Sequence, residues 1–314
     1  MGSQVTPDFS EIVQAFQFKG CFSRVDPFMF GHINDTYIAW FKSDFANHRY
    51  ILQRINHDVF QQPEMLMQNV EAVTCHLRQK ILAGQGDPQR ETLNLVRTTG
   101  GDAFYRARDG NYWRAYLFIE GARTYEIVEN LDHAYSTARA FGEFQMRLAD
   151  FPVEQLHETI PGFHHTPKRF QAFVQAVEQD VENRAQAVRT EIEYVEQREA
   201  ETSRLIELLD QGELPLRVTH NDTKFNNVLI DDETGKGICV VDLDTVMPGL
   251  SLYDFGDAIR SCATTAAEDE RDLSNVQFDL QIFDRFAHGY LDAAGDLLAP
   301  CLLYTSPSPR DFKY

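Results

Sequence analysis

Positive charge is scarce in this sequence. Lys and Arg number 29 against 48 Asp and Glu, for a formal charge of −19, and no basic cluster interleaved with aromatics occurs. That balance argues against a nucleic-acid partner. An acidic surface suits cationic substrates such as aminoglycosides, although general solubility is the better account of it. Cysteine is sparse too: Cys21, Cys75, Cys239, Cys262 and Cys301 stand apart, without C-x-x-C or Cys/His metal spacing. They read as reduced thiols and imply a cytoplasmic address. No apolar run approaches a bilayer crossing, and the N-terminus lacks the basic start and apolar stretch of a signal peptide, so no membrane partner is expected. What remains is a chain of 314 residues, 43% hydrophobic, long enough for two compact lobes.

The chemistry concentrates in His220-Asn221-Asp222-Thr223-Lys224-Phe225-Asn226-Asn227, followed by Asp242 in Val240-Val241-Asp242-Leu243-Asp244. Between Asn227 and Asp242 lie Val228-Leu229-Ile230, a polar turn over 231–237, and Ile238-Cys239-Val240-Val241, the pattern of a β-hairpin. A hairpin returns the chain to its starting level, so the Asn227 amide and the Asp242 carboxylate should become neighbours. Mg²⁺ prefers oxygen ligands and is usually held by one or two protein groups plus phosphates and water. Asn227 and Asp242 supply that minimum, and Asp222 is left to accept a proton from an attacking hydroxyl. Phosphoryl transfer depends mostly on positioning and charge neutralisation, which three such residues provide. Each alone could merely shape a loop; the spacing H-x-D-x-x-x-x-N leading into a hairpin that ends in Asp makes the set specific.

This segment resembles the catalytic loop of the aminoglycoside phosphotransferase and choline kinase superfamily. The resemblance implies a protein-kinase-like α+β fold of two lobes, a small β-rich one and a larger, mainly helical one. It also implies Asp222 as the catalytic base, Asn227 and Asp242 as magnesium ligands, and ATP as co-substrate. The stretches Val218–Leu229, Asp242–Gly249, Tyr253–Asp257, Gly31–Tyr37 and Leu52–Asn56 are similar to the N-acetylhexosamine 1-kinases. Those enzymes phosphorylate the anomeric hydroxyl of N-acetylglucosamine or N-acetylgalactosamine. Asp254-Phe255-Gly256 matches the magnesium motif of protein kinases in letters, but Asp242 already holds that place by spacing. Asp254 is therefore expected to buttress the catalytic loop or to cap the following helix.

The first 120 residues read as the nucleotide lobe. A short helix is expected over Phe9–Phe18, then strands Cys21–Val25 and Tyr37–Phe41 around a connection that would lie over the nucleotide phosphates, with Gly31, Ile33 and Asn34 as cofactor contacts. His32, from the family likeness alone, is a substrate candidate. Tyr50–Ile55 looks like the third strand, where related kinases place a phosphate-binding cation. Here Gln53 and Arg54 fall at that level, and alternation lets only one face the cleft. A helix over Glu64–Leu82 offers Glu64 or Glu71 as an ion-pair partner. Strands at Leu93–Val96, Ala103–Arg108 and Tyr112–Ile119 follow, the last two joined at Asp109-Gly110. Trp113 and Tyr116 are expected in the core. Glu120-Gly121 suits a hinge whose backbone reads adenine, with Glu120 a cofactor contact.

Residues 121–301 read as the catalytic lobe, with helices over Ala134–Ala149, Phe170–Val177, a charged helix over Glu182–Leu209, and a last one over Phe278–Leu298. The His164-His165 pair lacks an acidic or thiol partner at fixed spacing and does not suggest a metal. Asp257 and Arg260 would share a helix face; an ion pair and hydrogen bonds to substrate both fit. The likeness fades near Pro300, and 302–314, with two X-Pro steps, is expected to be an irregular tail foreign to the family. A chain cut short there would leave Phe283, Phe286 and Tyr290 without cover.

Overall fold

A two-residue period sorts the start of the chain into two faces. The computed structural model describes residues 9–28, 33–44, 46–264, 266 and 270–298. After helix α1 (Phe9–Ala15) come strands β1 (Cys21–Pro27), β2 (Asp35–Lys42) and β3 (Asn47–Ile55), helix α2 (Pro63–Ala83), and strands β4 (Tyr105–Arg106) and β5 (Tyr112–Leu117). The five strands form one antiparallel sheet in the order β1-β2-β3-β5-β4. Its register sets Thr36 opposite Gln53 and Gln53 opposite Arg114. Because alternate side chains face opposite ways, Tyr50, Leu52, Trp113 and Ala115 join Ile12, Val13 and Phe16 of the α1 segment in one apolar cluster. Ile55, Tyr112 and Tyr116 turn the other way and share the main core with Leu66, Met67, Val70 and Val73 of α2. Trp113 and Tyr116 are buried, as expected.

The chain leaves this sheet at Leu117, passes Gly121 in the left-handed region (φ 64°), and enters a second sheet at β6 (Ala122–Arg123). There follow α3 (Leu131–Arg147), α4 (Thr166–Gln179), α5 (Arg189–Glu196), α6 (Glu199–Thr202), α7 (Arg204–Asp210), β7 (Arg217–Thr219), β8 (Val228–Asp231), β9 (Gly237–Val240), β10 (Met247–Gly249), α8 (Ser251–Cys262) and α9 (Leu280–Ala294). The expected hairpin is β8–β9, with Val228 opposite Val240 and Leu229 opposite Cys239. Its turn is built on Asp231, whose Oδ1 accepts from the Thr234 amide at 2.8 Å, and on Gly235 at φ 67°. Strand β6 extends this sheet, and β7 pairs with β10.

Several expectations need correction. Leu93–Val96 is no strand; it makes one bridge, Leu95 to Tyr116, because the Asn94 amide bends the segment onto Pro88 and Thr92 carbonyls. The strand expected over Ala103–Arg108 shrinks to β4. The charged helix over Glu182–Leu209 breaks into α5, α6 and α7. Asp180 just ahead of it and Asn183 within it adopt positive φ, and Ile192 is the one buried residue of the three helices. A stretch with no apolar stripe has little packing to hold one long helix together. Of the three residues that a shortened chain would leave without cover, Phe286 and Tyr290 are fully buried, because α9 packs on α3, and Phe283 is half-buried. The four described cysteines are free, with Cys239 and Cys262 buried and Cys21 and Cys75 exposed. Among the described residues no helix is long and apolar enough to cross a membrane. Gly31, His32, Cys301 and the expected tail over 302–314 lie outside the described residues.

The α3–α9 contact depends on missing side chains. A Cβ on Gly142 would meet Ala293 Cβ at 2.8 Å and Tyr290 O at 2.9 Å, and one on Gly289 would collide with the Tyr135 carbonyl. Gly289→Val should therefore force the helices apart and cost about 3 kcal/mol. The urea midpoint checks it: an unshifted midpoint would mean that the two helices do not need this close approach.

Candidate active site

Strand β7 delivers the chain to His220, and from there a buried polar network shapes the loop. The His220 amide donates to Asp254 Oδ2 (2.9 Å) and the Asn221 amide to Asp254 Oδ1 (2.8 Å). Thr223 Oγ1 donates to the Asp254 carbonyl, and the Thr223 amide to Asp257 Oδ2 at 2.9 Å. Asp254 lies inside α8, whose N-cap is Leu250, so of its two expected roles it takes the buttress. The His220 ring is sandwiched edge-on by Phe141 and Phe144, and its Nε2 lies 2.8 Å from the Val241 carbonyl. The His220 carbonyl accepts from Thr245 Oγ1 at 2.6 Å, and Asn221 Nδ2 donates to the Thr245 carbonyl at 2.8 Å. The loop at 220–222 and the turn at 242–245 are thus tied to each other directly.

The three residues singled out by spacing come together. The Val241 amide donates to the Asn227 carbonyl at 2.9 Å, which sets Asn227 level with the start of the Asp242 turn. Asn227 Nδ2 donates to the Asp222 carbonyl (2.8 Å) and to Asp222 Oδ2 (3.2 Å). With the amide nitrogen committed there, the Asn227 Oδ1 is the end left for a cation. Asp242 sits at φ 56°, a left-handed conformation that few non-glycine residues adopt. Such strained positions cluster at functional sites.

The remaining candidates divide. Gln53 faces the cleft: its Nε2 donates to Thr36 Oγ1 (3.0 Å) and its Oε1 accepts from Arg114 Nε (2.9 Å). Arg54 points to the opposite face and pairs with Asp35, Nε to Oδ2 at 2.6 Å, so the structure does not bring it to the site. Asn34 Nδ2 donates to Asp244 Oδ2 at 2.6 Å, and the exposed Ile33 offers its carbonyl to Asn56. Glu120 pairs with Arg49 through its side chain, while its carbonyl, expected to read adenine, accepts from Arg90 at 2.8 Å. Asp257 and Arg260 form the ion pair, 3.0 Å apart. Glu71 pairs with Arg97, and Glu64 accepts from the Tyr112 hydroxyl instead of pairing with a cation. His164 Nε2 lies 3.1 Å from the Asn221 carbonyl, a contact to the loop at 220–222. Sequence reading passed over Lys224, whose Nζ is 3.5 Å from Asp222 Oδ1, and the buried pair of Arg114 and Asp244.

Comparison with known proteins follows this geometry. A model of the phosphotransferase enzyme family matches residues 27–302. The chain belongs to that family. Its fold is similar to an aminoglycoside phosphotransferase from Alicyclobacillus acidocaldarius (TM-score 0.59, 13% identity, 93% of this chain and 79% of the other). It is also similar to a microcompartment-associated aminopropanol kinase (0.53, 14%, 91% and 80%) and to an amicoumacin kinase solved with AMP-PNP and Ca²⁺ (0.54, 14%, 91% and 76%). The two-lobe, kinase-like α+β architecture expected from the sequence is the observed one, and the family's members are small-molecule kinases.

Electrostatics in this phosphotransferase fit a divalent cation at Asn227 and Asp242. Asp242 keeps an exposed face in the cleft, yet the protein around it and the neighbouring Asp244 push its carboxyl up, to about 6, against the opposing Arg114 and His220. The wet face limits how far burial can act, so the direction carries the point: negative charge is crowded here and a cation would relieve it. Among the described residues no group of three or more His, Cys, Asp or Glu could hold a metal. Burial likewise raises the Asp254 carboxyl, opposed by His220 and by the amides it accepts.

The raised Asp242 carboxyl has a sign for stability. The native state holds a proton that the unfolded chain has already released, so stability from this group is full below the ordinary Asp value and is lost as pH rises to about 6. Asp242→Asn should therefore stabilise the metal-free protein above pH 6 relative to wild type, with the gap closing towards pH 4, where the carboxyl is neutral in both states. Urea midpoints at several pH values read this directly, and a pH-independent difference would mean that Asp242 is not under electrostatic strain.

Proposed function

We propose that this phosphotransferase is an ATP-dependent N-acetylhexosamine 1-kinase, with residues 1–120 as the nucleotide lobe and 121–301 as the catalytic lobe. The carrying observation is the convergence of Asp222, Asn227 and the turn at Asp242 on one loop-and-hairpin unit. Asp222, partly open to solvent and oriented by Asn227, accepts the proton of the anomeric hydroxyl as its oxygen attacks the γ-phosphorus of ATP and the bond from that phosphorus to the β–γ bridging oxygen breaks, releasing ADP. Asn227 Oδ1 and the Asp242 carboxylate would hold Mg²⁺, which neutralises charge on the β- and γ-phosphates. Lys224 stands beside Asp222, where a cation also meets the charge that develops on the transferred group. The small lobe's Ile33–Asn34 segment borders the nucleotide. The choice of sugar rests on the similarity of the 218–229, 242–249 and 253–257 stretches to the N-acetylhexosamine 1-kinases. A cationic acceptor is the second reading, favoured by the charge of −19 and by the amine substrates named for the aminopropanol and aminoglycoside relatives.

Phosphorus NMR of the chain with Mg²⁺-ATP and a mixture of N-acetylglucosamine, N-acetylgalactosamine, choline and an aminoglycoside separates the readings. A new phosphate signal coupled to an anomeric proton is expected. An ester on another acceptor would keep the phosphotransferase and discard the sugar, and intact ATP would remove both. Asp222→Asn should lower kcat by about 10²- to 10⁴-fold while nucleotide affinity changes little. Near-normal turnover would take the base role from Asp222.

A further inference from the structure

At the level of Asp244 the third strand offers no cation, since position 53 is Gln, Arg54 turns away to Asp35, and Arg49, further along the strand, is paired with Glu120. A cation arrives instead from β5. Arg114 is 1% exposed, with Nε on Gln53 Oε1 (2.9 Å), Nη1 on Asp244 Oδ1, and the same Nη1 3.9 Å from Met67 Sδ of α2. Asp244, 3% exposed, gives its other oxygen to Asn34 Nδ2 at 2.6 Å. The Asn34 Oδ1 in turn accepts from the Asn56 amide at 3.0 Å. One buried carboxylate of the catalytic lobe is therefore held by two separate parts of the small lobe: β5, and the described end of the β1–β2 connection. Its backbone belongs to the Leu243–Thr245 turn, which starts at Asp242 and whose Thr245 is bonded to His220 and Asn221.

Resting on the kinase reading above, we infer that Asp244 is a positioning residue, a latch through which Arg114 and Asn34 of the small lobe set the Asp242 turn for metal-nucleotide binding. Arg114 thus does its work through a carboxylate. With Nε and Nη1 committed and the side chain enclosed, it replaces the missing cation of the third strand by steering the metal turn rather than by meeting a phosphate. Both oxygens of Asp244 are engaged by the small lobe, so it is not itself an open ligand. Seating the Ile33–Asn34 segment and seating Asp242 become one event, and the coupling should appear in the metal-dependent part of nucleotide affinity. Adenosine, which has no phosphate, should be indifferent to it.

The test is AMP-PNP binding by calorimetry, with and without Mg²⁺, and adenosine binding alongside. Asn34→Ala and Arg114→Lys should each cut the Mg²⁺-dependent gain in AMP-PNP affinity about tenfold, with adenosine affinity within about twofold of wild type. Together they should be no worse than the stronger single variant, because both act through Asp244. Asn34 is only half-buried, so Asn34→Ala keeps the test valid if Arg114→Lys fails to fold. An undiminished Mg²⁺ gain in Asn34→Ala, or losses that multiply in the double variant, would overturn the latch. So would a loss confined to Asp244→Asn, which would make Asp244 a direct metal ligand. If wild-type protein shows no Mg²⁺-dependent AMP-PNP binding at all, the kinase reading falls and the latch with it; a wild-type gain that the variants retain sinks the latch alone.

Discussion

Everything in the cleft depends on a buried carboxylate that accepts backbone amides. Asp254 receives the amides of His220 and Asn221, and Gln145 donates to it from α3 at 2.5 Å. An enclosed loop cannot leave its N–H groups unpaired without a cost of about 1–3 kcal/mol each, so this acceptor decides where the loop can run. Asn221 sits at φ 66°, a bend that its amide bond to Thr245 helps to hold. The loop backbone is therefore fixed before any substrate arrives, and Asp222, the next residue, inherits a set direction. Burial raises the Asp254 carboxyl, which means that the acceptor is retained despite a solvation penalty. Two amides, a glutamine and the neighbouring imidazole offset that penalty.

From this anchor the order propagates by short steps. His220 carries it to Val241 through its ring and to Thr245 through its carbonyl, and Asn227 carries it to Val241 through the first rung of the hairpin. Catalysis by orientation demands reacting groups held within a fraction of an ångström. Backbone bonds within one loop and one hairpin meet that demand better than long side chains could, because few torsions separate the anchor from the Asp222 carboxylate. Asp222 and Asp242 are accordingly the least enclosed members of the network, and its enclosed members are spent on holding them.

How much of this could be read from the sequence follows from distance along the chain. Asp222, Asn227 and Asp242 lie within one loop and one hairpin, so turn chemistry and strand alternation suffice to bring them together. Asp254 is an intermediate case: its role as a buttress followed from Asp242 already filling the metal position, but which amides it accepts did not. Arg114 and Gln53 are 61 residues apart, Arg114 and Asp244 130, and Asn34 and Asp244 210. No local pattern encodes those meetings; they follow from lobe packing and strand register. The same reason explains why Gln53 and Arg54 could not be told apart until the pairing of β3 with β2 and β5 was known. The charged 182–209 stretch was misread for a different cause: helix-forming residues without an apolar face do not specify a single helix.

The Arg114–Asp244 pair is a poor candidate for a stabilising device. Removing two charges from water costs several kcal/mol per ion, and apolar side chains of similar size would often serve stability as well. Burial works to lower the Arg114 guanidinium, and the Asp244 carboxylate overrides it, so Arg114 keeps its charge. What charge supplies and a methyl group does not is direction. Each oxygen of Asp244 has one donor, and each donor comes from a different part of the small lobe. An apolar contact would hold the lobes together while letting them slide, whereas two hydrogen bonds to one carboxylate fix both distance and rotation. Fixing rotation matters here because Asp242 lies two residues away in a left-handed turn, where a small twist would re-aim its carboxylate. The ion pair is therefore best understood as a constraint on geometry, retained despite its energetic cost.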